Sequence, residues 1–180
     1  MTPLERVPLI EAVFVFWKKP LGNDYQAYHG HVYRVYNYTL FQMETEDRIV
    51  HEKVAIASAF HDIGIWLDRT FDYLEPSIAH AREFLENSGR TLWGDEIAKM
   101  IDNHHKLIPY RGEFGAMVEA FRKADLLDLS MGLLGPKIPS AFTKEVRRMF
   151  PYEGFHKVLL GVGTQWIKKN PLNPFPMIKP

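Results

Sequence analysis

The stretch Val54-Ala55-Ile56-Ala57-Ser58-Ala59-Phe60 constrains the fold more than any other, because at helical spacing it is apolar on every side. A helix without a polar face has to be wrapped by others, so it marks the middle of a domain. Around it, apolar residues recur at intervals of three and four. Val7, Ile10, Phe14 and Trp17 form one stripe, ended by Pro20-Leu21-Gly22. Asn23 or Asp24 is placed to cap a second helix through about Phe41, and Thr45, with Glu46 and Asp47 behind it, opens a third. Further helices are expected from Pro76 or Ser77 to near Gly89, from Asp95 through His105, from Glu113 to about Leu134, and from Ser140 to Met149. Asn170-Pro-Leu-Asn-Pro-Phe-Pro is too rich in proline for helix and should lie extended on the surface. No alternating strand or Asn-Gly hairpin interrupts the pattern. The expectation is all-α, a single-domain helical bundle over residues 1–180, with its motif core at about 25–130 and a proline-rich tail at about 170–180.

The all-apolar helix closes on His61-Asp62, and burying two such side chains costs free energy that only pairing or coordination offsets. Other polar residues fall on inward faces as well. His31 lies on one helix face with Arg34, between Val32 and Val35. His80 stands one turn from Phe84, and His104 aligns with Ile97, Met100 and Ile101; His105, about 100° round that helix, is the weaker choice. Asp125 shares a side with Phe121 and Leu129, and Asp128, one turn on, could replace it. Taken singly, each is what a hydrogen-bonded core residue or a solvated carboxylate looks like. Their recurrence on inward faces points to a shared site. The chain has no cysteine, which excludes disulfides, thiolate zinc sites and cysteine nucleophiles together.

The order His31-x-x-Arg34-Val35, then His61-Asp62, then Asp125 in Lys-Ala-Asp-Leu-Leu-Asp resembles the H…HD…D signature of the HD superfamily, helical metal-dependent phosphohydrolases and their divergent relatives. The resemblance implies that His31, His61, Asp62 and Asp125 hold one metal. It further implies, by likeness to a dinuclear subset, that His80 and His104 hold a second ion, with Asp62 bridging the two. That subset includes cyclic-dinucleotide phosphodiesterases and mixed-valent diiron oxygenases, and the stretch around His80 is similar to cyanamide hydratase relatives. After His104-His105 the chain lacks the Gly-Tyr-Pro motif of the cyclic-di-GMP enzymes, and after Asp62 it lacks the Glu-Asp pair of alarmone hydrolases.

A set of imidazoles with two carboxylates suits one or two ions of Mn, Fe, Co, Ni or Zn better than Mg or Ca. Such ions acidify water and neutralise phosphoryl charge, so the leading expectation is hydrolysis of a small phosphate ester or nucleotide, with Asp62 and Arg34 taking part in the chemistry. A mixed-valent diiron oxygenase, a cyanamide-hydratase-like hydratase and a non-catalytic sensing module are the alternatives. The partner expected is a small, phosphorylated molecule. With 22 basic against 22 acidic residues, a nucleic-acid polymer is not indicated. Glu5 and Glu11 break any secretory signal, and Ala12–Trp17 is far shorter than the roughly 20 apolar residues of a membrane span, so a cytoplasmic location is expected. Oligomeric state is left open.

Overall fold

The computed structural model describes residues 2–178. They form nine α-helices and no strand: α1 Pro8–Leu21, α2 Tyr25–Met43, α3 Arg48–Phe60, α4 Gly64–Leu67, α5 Leu74–Asn87, α6 Gly94–Asn103, α7 Gly115–Leu129, α8 Ser140–Met149 and α9 Phe155–Lys169. None of the described helices is long and apolar enough to cross a membrane. The all-α expectation holds.

Local chemistry sets many of the boundaries. Asp47 caps α3, its Oδ1 accepting the Ile49 N–H at 2.8 Å. Helix α5 ends at Gly89 (φ +68°) in a Schellman motif, with Arg90 N–H bonded to Leu85 O at 2.8 Å. Helix α7 ends the same way at Leu129, five residues earlier than expected. There Met131, not a glycine, adopts the left-handed conformation (φ +54°), and Gly132 N–H closes on Leu127 O at 2.8 Å. A methionine in that role gives no sequence warning.

Helix α3 packs against α1, α2, α5 and α6, as its apolar circumference requires. The deepest helix, however, is α2, buried from Ala27 to Leu40 except at His29. Its tyrosines and polar residues disguise that depth. Tyr28 donates to Ala59 O at 2.7 Å, Tyr33 to Glu11, and Thr39 to Val35 O at 2.8 Å, so these buried polar atoms have partners, whereas the Tyr38 hydroxyl is buried without one. Gly30 permits the close approach of the chain after α8, since a Cβ there would lie 2.8 Å from Pro151 O.

Two parts of the C-terminal third depart from expectation. Residues 155–169 form a helix the sequence pattern does not announce. The tail is irregular, but it does not simply lie on the surface: Pro176 and Met177 are buried. Met177 joins Ile65, Tyr73 and Leu74 in a small apolar cluster beside the main core.

Candidate metal centre

Helices α2, α3, α6 and α7 pack around one point, and each delivers side chains to it. His31 comes from the middle of α2, His61 and Asp62 from the turn closing α3, His104 and His105 from the turn closing α6, and Asp125 from α7. His31 Nε2 lies 2.9 Å from His61 Nε2, 3.5 Å from Asp62 Oδ2 and 3.4 Å from Asp125 Oδ1. On the other side, His104 Nε2 is 3.3 Å from Asp62 Oδ1, and His105 Nδ1 is 3.6 Å from Asp125 Oδ2. Each carboxylate thus turns one oxygen to each half of the cluster. Three overlapping groups, His31–His61–Asp125, His61–Asp62–His104 and His104–His105–Asp125, have ligand atoms within 4.8 Å of one another and could each hold a metal ion.

The far side of each ring fixes its tautomer. His61 Nδ1 faces Ser58 O at 2.8 Å and His104 Nδ1 faces Ile101 O at 2.6 Å. A carbonyl can only accept, so both Nδ1 atoms carry hydrogen and both Nε2 atoms present lone pairs. The device is the same twice: a histidine at a helix end satisfies the orphan carbonyl three residues back. His31 Nδ1 is committed to Asp128 Oδ2 at 2.7 Å. Two imidazole lone pairs are therefore aimed at each other across 2.9 Å, a contact that requires a cation or a proton between them. Asp62 Oδ1, His104 Nε2 and both oxygens of Asp125 are buried without a hydrogen-bond partner, as expected of atoms whose partner is an ion. The donor set fits a metal ion.

Without an ion, the cluster's electrostatics are frustrated. Burial depresses the His31 imidazole, but Asp128, Asp62 and Asp125 outweigh it and raise its pKa to about 9. His61, buried beside the other rings, falls to about 3. Burial lifts Asp125 to about 7, with Asp62 and Asp128 adding to the rise against the pull of His104 and His31.

Two expected residues stand elsewhere. His80 does not join the cluster. The inward face of α5 runs through Ser77, Ala81 and Leu85, and His80, about 100° round from Ala81, is left at the surface, paired with Asp68 Oδ2 at 2.8 Å. His105 takes the place expected of it. Arg34 does not face substrate space either. Fully buried behind His31, it grips Asp128 through Nε (2.7 Å) and Nη2 (2.9 Å), and donates through Nη1 to Phe150 O and Pro151 O. Its guanidinium lies over the Tyr152 ring, 4.2 Å from the centroid.

Asp125 and Asp128 are read as alternatives in the sequence, yet both serve, one facing the cluster and one holding His31. Tyr73 is a residue sequence reasoning missed. Its hydroxyl meets His105 Nε2 at 2.5 Å, so His105 presents an Nδ1 lone pair when Nε2 donates to that oxygen. No spacing in the chain pairs these two residues.

A cavity of about 440 Å³ opens onto Asp62, His104, His105 and Asp125. A larger one of about 590 Å³, by α1, α2 and α3, contains none of these donors. In comparisons with known proteins, no family model, no curated protein and no solved structure matches the chain. The chemistry must be read from the side chains.

Proposed function

We propose that the protein is a metal-dependent hydrolase that cleaves a small phosphate ester or nucleotide at the His–Asp cluster. The observation that carries the reading is the convergence of the His31, His61 and His104 Nε2 atoms on buried oxygens of Asp62 and Asp125 that lack hydrogen-bond partners, beside a cavity. The ordered residues that resemble the HD superfamily support the same class of chemistry. Mn, Fe, Co, Ni or Zn suits the mixture of imidazole and carboxylate.

A divalent cation held here supplies Lewis acidity, making water acidic near neutral pH and neutralising charge on a phosphoryl oxygen. The chain's own residues do the rest. Ser58 O, Ile101 O and Asp128 lock three rings in the ligating tautomer. An oxygen of Asp62 or Asp125, left without a hydrogen-bond partner, would accept the proton of the attacking water. The ammonium of Lys106, on the cavity wall, balances a further phosphate charge.

Metal analysis of protein purified without added metal, followed by turnover on phosphomonoesters, phosphodiesters and nucleotides, tests this. One or two transition ions per chain and hydrolysis lost in Asp62→Ala are expected. No turnover by Mn-, Co-, Ni-, Zn- or Fe-loaded protein would reject the reading. The substitution of His105 for His80 keeps six donors, and so also favours an iron oxygenase as a second reading. Turnover that requires O₂ would select it; a cyanamide-hydratase-like reaction would show as O₂-independent turnover of a substrate without phosphate.

A further inference from the structure

We infer that the cavity is shaped for a phosphate monoester whose organic part is apolar, an alkyl or aryl group, and that it discriminates against nucleotides. The inference rests on the phosphohydrolase reading of the cluster and concerns the rest of the cavity.

Beyond the cluster, the walls are Phe71 from the α4–α5 loop, Leu126 and Leu129 from α7, Leu159 from α9, and Met177 and Ile178 from the tail. Leu107 and Leu134 line the same cavity and are 77% and 59% exposed. The polar groups available to a ligand are few. The Tyr73 hydroxyl is held by His105. The Arg122 guanidinium is held by both oxygens of Glu119 and by Lys106 O. Lys106 is left as the one lining cation whose side chain has no partner among the described residues. One ammonium beside a metal site matches one phosphate group.

The volume of about 440 Å³ would admit a nucleotide, so chemistry has to decide. A ribose and base would leave water for a wall of leucine, methionine and phenylalanine that offers few side-chain donors or acceptors for their hydroxyls and ring edges. An alkyl chain loses nothing on that wall, and each methylene buried there strengthens binding about fourfold. The tail helps to shape the cavity, because Met177 is buried in the wall and Ile178 borders it.

The test is a series of n-alkyl phosphates from ethyl to hexyl, set against adenosine 5′-monophosphate, on manganese-loaded protein. Expected is a rise in kcat/KM of about fourfold per methylene, roughly 250-fold over the four methylenes of the series, with hexyl phosphate ahead of the nucleotide. Met177→Gln should lower the hexyl-to-ethyl ratio. A flat series, or a nucleotide preferred over hexyl phosphate, overturns the inference. If no ester is cleaved, the hydrolase reading fails on its own, and calorimetric titration with the matching alkylphosphonates and the same nucleotide decides: affinity that climbs with chain length upholds the apolar site, and affinity indifferent to it does not.

Discussion

Asp128 holds two cations' worth of hydrogen bonds on one carboxylate: Oδ2 receives His31 Nδ1 and Arg34 Nη2, and Oδ1 receives Arg34 Nε. Burial alone would lift its pKa, but the guanidinium and imidazole outweigh burial and hold it below the usual carboxylate range. Removing one partner leaves a buried charge uncompensated. Arg34→Met should therefore destabilise the fold by about 3–5 kcal/mol, read as a shifted midpoint in denaturant titration. Asp128→Asn frees the His31 ring to turn, and calorimetry should show ion affinity falling on the order of 10- to 100-fold. If both variants match the parent, Asp128 positions nothing.

At the scale of the element, legibility followed the contrast between apolar and polar faces. Helix α3 was readable because its apolar run is unbroken. The greater depth of α2 was not, because tyrosine and arginine reach burial through hydrogen bonds that only the folded partners supply. Helix α9 hid behind Gly161 and Gly163 and the prolines that follow, and of its residues only Phe155 and Gly163 are buried. The motif residues His31, His61, Asp62 and Asp125 were legible from order and context. His105 is the weaker choice in the sequence because helical arithmetic sets it about 100° from His104, whereas α6 stops at Asn103 and both rings leave a turn, 3.9 Å apart. That turn has a brace of its own. Glu119 accepts from Tyr110 N–H and Arg122, and Arg122 donates to Lys106 O. Burial opposes its ionisation, yet the Arg122 and Tyr110 bonds prevail and lower its pKa. A lowered folded pKa gives stability that is present above the unfolded value and lost as pH falls through the folded one. Glu119→Gln should cost about 1 kcal/mol at pH 7, and the gap from the parent should close below about pH 4.5. Thermal melts across pH 3–7 would show a constant gap if the charge is immaterial.

Across the whole molecule, Phe155 ties the last helix to the centre, its ring stacked on His31 with centroids 4.0 Å apart. Phe155→Ala should cost about 3–5 kcal/mol. Such a loss, with ion affinity also reduced, would be seen in paired melts with and without chelator. In the parent protein, an ion at 100 times its Kd adds about 2.7 kcal/mol, so chelation should lower Tm by roughly 5–10 °C. An unchanged Tm would mean that nothing binds with useful strength. The six donors also come from four stretches of chain, and of these six an unfolded polypeptide keeps only His61–Asp62 and His104–His105 as neighbours. Capture of the ion must then wait for tertiary assembly. Refolding rates should be blind to added metal, and the whole of its stabilisation should appear as slower unfolding, so that the ion acts as a latch on a finished bundle and not as a seed for it.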